Sequence, residues 1–272
     1  MNGMAESRPG LIIGQFAFAS VVLGAWEWGA ASKLLDPFFV GRPSEIVLRI
    51  VQWTGTGTIW VHLSTTFTEA ILSFVIGGSL GVLLGFALAG VPIVAALLEP
   101  YIRMANALPR VVLAPIFLLW FGLGIWSKVA LGVTVVFFVV FFNTYRGVRE
   151  VDQALIDNAR MLGASEAQLV RHVLVPSALT WIFSSLHISI GMAIIAVVVG
   201  EYLGASRGIG YLIAQAEGVF DTTGVFAGTA VLAAGVLLIG RIVARVERRL
   251  LRWKPEHAEA RNTSPGTLKR TQ

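Results

Sequence analysis

The sequence predicts an all-α membrane protein with six transmembrane helices. Three observations carry that prediction. Apolar residues make up 56% of the chain and charged residues only 14%, with a mean hydropathy of +0.75, whereas soluble domains hold about 25% charged residues. Several uncharged stretches approach about 20 residues, the length a helix needs to cross the hydrocarbon core. Lys and Arg are shared unevenly among the connecting segments, and such a bias sets the orientation of the spans.

Residues 1–8 are a short polar tail, and Pro9 to Trp26 carries no charge. That run exceeds the about 7–15 apolar residues of a signal peptide, so an uncleaved first span is expected over 11–31. Glu27 then sits between Trp26 and Trp28, where an interfacial aromatic belt would hold it. Residues 32–64 are rich in turn formers, with a short amphipathic helix expected from Ser44-Glu45 through Ile46, Val47 and Ile50. The second span is expected over 67–90. Its Gly77, Gly81 and Gly85 recur every fourth residue, which lets a neighbouring helix approach closely. Pro92, Glu99-Pro100, Arg103, Asn106 and Pro109-Arg110 interrupt the apolar pattern over 91–110. Further spans are expected over 109–122, 126–146, 178–202 and 225–243, with a loop over 204–223 and a basic end from Arg241.

Six spans put both termini on one side. With that side inside, sixteen of the 21 Lys and Arg lie in internal segments, Arg103 and Arg110 among them. Lys33, Arg42, Arg49, Lys128 and Arg207 remain outside. The positive-inside rule therefore puts both termini in the cytoplasm. The net charge of +5 reports orientation rather than nucleic-acid binding.

The polar stretch Asp152 to Pro176 is then cytoplasmic as well. Ala154, Leu155, Ala159 and Leu162 give one apolar stripe at helical spacing. Gly163 breaks it, and Ser165 with Glu166 and Gln168 marks a new helix start. Ala167, Val170 and Leu174 form a second stripe, which Pro176 is expected to stop. The unit reads as helix, turn, helix: either a surface for pushing on a partner or an amphipathic loop resting on the membrane.

Several chemistries are excluded. The chain has no cysteine, so disulfides and thiolate chemistry are absent. The four histidines show no HExxH pairing, and GxxxxGK[ST] does not occur. Ser184, Ser185, His187 and Ser189 cluster in the fifth span, but no nearby acid completes a triad. Glu69 and Glu201 lie near span ends, where snorkelling or a salt bridge explains them, leaving His187 the one mid-span ionisable candidate for an ion-coupled carrier.

The Asp152 to Pro176 stretch resembles the EAA loop of permease subunits from bacterial ABC importers: EAA, three residues, Gly, nine residues, then I-x-L-P. Here the positions read Asp157-Asn158-Ala159, Arg160-Met161-Leu162, Gly163, nine residues, and Val173-Leu174-Val175-Pro176. Asp157 keeps the charge of Glu, Asn158 is the least expected departure, and valine replaces isoleucine and leucine. Leu118 to Gly124, Asn143-Thr144, Gly200 to Ala205 and Gly208 to Ile213 resemble the aliphatic sulfonate, taurine and nitrate permeases in particular.

That resemblance implies a type I importer permease of the MetI-like fold working as a pair, probed by two other proteins. A separate ATPase would hydrolyse ATP and dock on Asp157, Asn158, Ala159, Arg160, Gly163, Val173, Val175 and Pro176. A periplasmic or lipid-anchored binding protein would deliver a small anion. No cofactor or metal would be held by this chain. The domain expectation is a tail, first span and external loop over 1–64, a permease core over 65–245 with its coupling loop over 150–177, and a basic cytoplasmic tail over 246–272. Asn143, Thr144, Ser184, Ser185 and Ser189 are the candidate pathway residues. An ion-coupled secondary carrier and a membrane-embedded enzyme are the alternatives.

Overall fold

A computed structural model describes residues 8–250. The polar start and the basic tail beyond residue 250 lie outside the described residues. In order, the helices are α1 (Arg8–Ala31), α2 (Pro37–Val40), α3 (Pro43–Gly55), α4 (Thr58–Ala89), α5 (Pro92–Ala107), α6 (Ala114–Phe121), α7 (Ile125–Arg149), α8 (Gln153–Met161), α9 (Glu166–Leu169), α10 (Val175–Leu203), α11 (Ile209–Gly218) and α12 (Thr222–Leu250). A 3₁₀ turn at Arg110–Leu113 leads into α6, and a π-turn at Val170–Leu174 joins α9 to α10.

The glycine stripe decides the centre. Cβ atoms added at Gly77, Gly81 and Gly85 would come within 2.9, 2.8 and 2.8 Å of the Cβ atoms of Val136, Val140 and Thr144. Only hydrogen at these positions lets α4 lie this close to α7. Helix α10 closes the core from a third side, packing Ala193 on Val136 and Val140, and Ala178 and Ile182 on Val148. Helix α12 covers α4 and α10 through Leu232, Val236 and Ile239.

Helix α1 stands apart from the bundle, with Ile13, Phe16, Phe18 and Val21 open. It is held at one end, where Trp26 meets Phe226 edge-on at 5.6 Å and Glu27 accepts hydrogen bonds from the Ser44 backbone and hydroxyl at 3.0 and 2.9 Å. The expected short helix after Pro43 is α3, tied to the chain before α12 by Arg49 and Asp221 at 2.5 Å.

Three expectations are corrected. The third span is not a straight helix over 109–122. Its α6 has eight residues, about 12 Å, too short for a hydrocarbon core of about 30 Å. Instead α5 and the Arg110–Phe121 segment form a bent pair, turned by 85°, with the length and composition of a broken span or a re-entrant loop. Pro109 forces the break: the residue before a proline avoids helical geometry, and Leu108 is extended at φ −66°, ψ 129°. Among the described residues five helices are long and apolar enough to cross a membrane, and the bent pair makes a sixth if it is one span.

The fifth span does not begin at 178, and Pro176 does not stop a helix. The helical run from Glu166 to Leu203 is continuous. A proline inside a helix loses a hydrogen bond and crowds the carbonyl four residues back. The π-turn ending at Leu174, where the Val175 N–H reaches the Val170 carbonyl, is a local widening that relieves such crowding.

The expected loop over 204–223 contains α11. Gly208, at φ +114°, turns the chain so that the first N–H groups of that helix face the core.

Candidate functional site

The Asp152–Pro176 unit sits at one end of the bundle. Asp152 caps α8 by accepting the Ala154 N–H at 2.9 Å. The helix ends in a Schellman motif: Ala164 N–H reaches the Ala159 carbonyl at 3.1 Å, and Gly163 N–H the Arg160 carbonyl at 2.9 Å. Gly163 takes φ +82°, the left-handed conformation that glycine adopts without a Cβ clash. Two residues later a capping box opens α9, with Ser165 N–H donating to Gln168 Oε1 at 2.9 Å and Gln168 N–H to Ser165 Oγ at 3.3 Å. Arg160 and Glu166 pair across the turn at 3.2 Å.

The turn is therefore fixed by its own chemistry, not by burial. No residue of α8 is buried. Leu155, Met161 and Leu162 are 54, 78 and 89% exposed, so the large apolar side chains of this helix and its turn are open. Asp157 is exposed and accepts from Gln153 Nε2 at 3.1 Å; Asn158 and Arg160 are exposed beside it, and Ala159 is half-buried. Val173 and Val175 are half-buried at the base of the unit, where Leu174 packs near Val148, Ala178 and Ile182. The base is anchored while the tip is open.

The pathway candidates separate. Thr144, Ser185 and Ser189 are buried between helices. Ser185 donates to the Ile182 carbonyl and Ser189 to the Ser185 carbonyl, both at 2.7 Å. Asn143 is half-buried and donates to the Val139 carbonyl at 2.8 Å, and Ser184 is exposed.

At the opposite end lies a polar cluster that sequence reasoning missed. Glu69 and Glu201 are not snorkelling groups, and Lys128 is not a loop residue: they are 2, 1 and 1% exposed. Glu201 Oε1 accepts from Thr66 Oγ1 at 2.6 Å, and its Oε2 from the Gly210 N–H at 2.7 Å. Ile209 N–H donates to Thr66 Oγ1 at 2.9 Å, and Gly208 N–H to His62 Nδ1 at 3.0 Å. Lys128 Nζ donates to the Leu123 and Gly124 carbonyls at 2.8 and 3.2 Å. Hydrogen bonds thus tie α4, α10 and the start of α11 together at this end of the bundle, with Lys128 of α7 packed beside Gly200. The available signal was spacing: Gly200-Glu201 followed by Gly208-Ile209-Gly210 places bare backbone N–H groups opposite a carboxylate.

Residues 77–252 match the family described as "Binding-protein-dependent transport system inner membrane component". The chain is 32% identical over 235 residues to the putative aliphatic sulfonates transport permease protein SsuC of Bacillus subtilis (strain 168), covering 86% of this chain and 85% of that one. It is 31% identical over 242 residues to the taurine transport system permease protein TauC of Escherichia coli (strain K12), covering 87% and 88%. Among solved structures, an inward-facing MetNI methionine ABC transporter is similar in fold, with a TM-score of 0.56 at 22% identity over 70% of this chain and 93% of that one.

Proposed function

The chain belongs to the binding-protein-dependent transport system inner membrane components, and on that premise we propose how it is driven and what it carries. As the permease of an ABC importer it is a transport subunit rather than an enzyme, and a multi-pass protein of the inner membrane.

In the proposed reading a separate ATPase hydrolyses the ATP and docks on α8 and the Gly163 turn. Asp157, Asn158 and Arg160 supply polar contacts, Ala159 allows close approach, and Val173, Val175 and Pro176 form the joint to the span. The carrying observation is the continuous helix from Glu166 to Leu203 beneath an uncovered apolar tip. Movement of the tip would be passed to α10 as a rigid body, and α10 lies in the middle of the core. A periplasmic or lipid-anchored binding protein would deliver the solute at the opposite end, to a pair of permeases with both termini cytoplasmic. Residues 65–245 would form the core of each. Of the pathway candidates Ser184 is exposed and Asn143 half-buried; Thr144, Ser185 and Ser189 would support them from behind. The names of the relatives favour a small anion such as an aliphatic sulfonate or taurine, with nitrate the next choice.

The test is reconstitution of the permease with its ATPase and binding protein in proteoliposomes. Uptake of radiolabelled taurine should require internal ATP and the binding protein together. Uptake driven by an ion gradient in vesicles that hold the permease alone would contradict the proposal and favour an ion-coupled carrier.

A further inference from the structure

Arg110 is not in the cytoplasm with the other internal cations, as its sequence position suggests. It opens the second half of the bent pair, and its guanidinium lies 4.8 Å above the ring of Phe138. Phe138 is midway along α7, about 20 Å from one end and about 17 Å from the other. Nearer the α8 end, Ala95, Glu99 and Ile102 of α5 face Phe141, Phe142 and Tyr145. Nearer the opposite end, Ala114 of α6 packs with Leu131 and Ala196. The break, and with it Arg110, is level with the middle of α7.

A cation at that depth is expensive and normally has a counter-charge. Among the described residues Arg110 has none: Glu99, the nearest acid in sequence, is held by Arg103 at 2.5 Å, while Glu69 and Glu201 belong to the far cluster. Arg110 Nη1 donates to the Asn106 and Leu108 carbonyls at 2.5 and 3.1 Å, and Nη2 to Asn106 Oδ1 at 2.6 Å. These bonds close the end of α5. They leave Nε–H, one N–H on Nη2 and the Asn106 amide N–H groups without a protein acceptor among the described residues. Arg110 and Asn106 line a cavity of about 300 Å³ whose other walls are apolar, including Val135, Val139, Met192 and Ile195. A planar guanidinium with free donors in an apolar chamber is suited to an oxyanion, which supplies acceptors and cancels the charge.

We propose that Arg110 and Asn106 form a transport subsite for the anionic group of the solute, of the chemical class of sulfonates and other small oxyanions, at mid-depth of the membrane. The subsite rests on the permease reading above. It gives the solute a single weak station in an otherwise apolar passage. The break also places polar backbone and an arginine against this cavity.

The test uses the complete importer, permease with ATPase and binding protein, in proteoliposomes, with radiolabelled taurine and ethanesulfonate as probes. Uptake and binding-protein-stimulated ATP hydrolysis are measured together. Arg110→Gln should lower uptake of both probes about tenfold or more, the size expected for losing a charge-assisted hydrogen bond, with hydrolysis within about twofold of wild type. Arg110→Lys should recover most of the uptake. Asn106→Asp keeps the shape and gives Arg110 an internal counter-ion, so it should also lower uptake while the complex assembles normally. Uptake at the wild-type rate in Arg110→Gln and Asn106→Asp would overturn the subsite. So would a parallel fall of uptake and hydrolysis, which would make Arg110 a cap for α5 alone. A wild-type importer that answers its binding protein with ATP hydrolysis yet moves neither probe would overturn the anion subsite and leave the permease reading standing. Absence of that answer in the wild type would remove the permease reading itself, and the subsite with it.

Discussion

Single residues hold the two ends of this bundle, by different means. At one end the Gly163 backbone does the work. A β-branched residue at φ +82° pays a left-handed penalty of about 1–2 kcal/mol, enough to disturb a turn that nothing buries. Gly163→Val should therefore insert normally and lose the co-purifying ATPase. Asp157→Lys should do the same by reversing an exposed charge beside Arg160; recovery of the ATPase at wild-type yield with Asp157→Lys would remove the docking role of that carboxylate. At the other end Glu201 does the work. Glu201→Ala leaves the Gly210 N–H without its acceptor, at about 1–3 kcal/mol, and leaves the Thr66 hydroxyl only the His62 carbonyl at 3.2 Å. A clear drop in the melting temperature of the purified protein is expected; an unchanged melt would mean that water replaces the carboxylate without loss. The first site was legible because Gly163, Ser165 and Gln168 act through local backbone geometry. The second was not, because Glu69, Lys128 and Glu201 meet only in three dimensions, and each alone resembles an interfacial charge.

At the scale of elements, the glycine stripe was readable since it needs only helical spacing and the absence of side chains. Gly81→Leu should separate α4 from α7, because the added atoms meet the Val140 Cβ and the Phe137 carbonyl; lower yield and a lower melting temperature are the expected readouts. Two elements were misread for one reason. Proline reads in the sequence as an interruption or a stop, yet Pro109 bends the chain between α5 and α6 and Pro176 is absorbed by a π-turn. Sequence pattern registers the loss of a hydrogen bond but not a backbone adjustment that makes it good. The π-turn leads to a further expectation. Pro176→Ala should retain the ATPase but uncouple it, with hydrolysis near the wild-type rate and uptake reduced; unchanged uptake would mean that the local widening has no part in transmission.

For the whole molecule, class and span count followed from composition and the uncharged runs, since the bilayer constrains both strongly. Taking Arg110 out of the internal segments leaves fifteen of the 21 Lys and Arg in the segments that the sequence assigns to the inside. The polar tip of α8 and the Glu201 cluster lie at opposite ends of α10, so one continuous helix connects the proposed motor contact with the proposed solute entrance. The absence of cysteine makes the central claim directly testable. Leu162→Cys, at the most exposed apolar residue of the tip, should give a cross-linked permease–ATPase adduct when the co-expressed complex is treated with a short bifunctional thiol-to-amine reagent. Phe220→Cys, 76% exposed at the opposite end, should give none. No adduct through Leu162→Cys in a complex that still purifies intact, or an adduct through Phe220→Cys, would contradict the docking of the ATPase on α8.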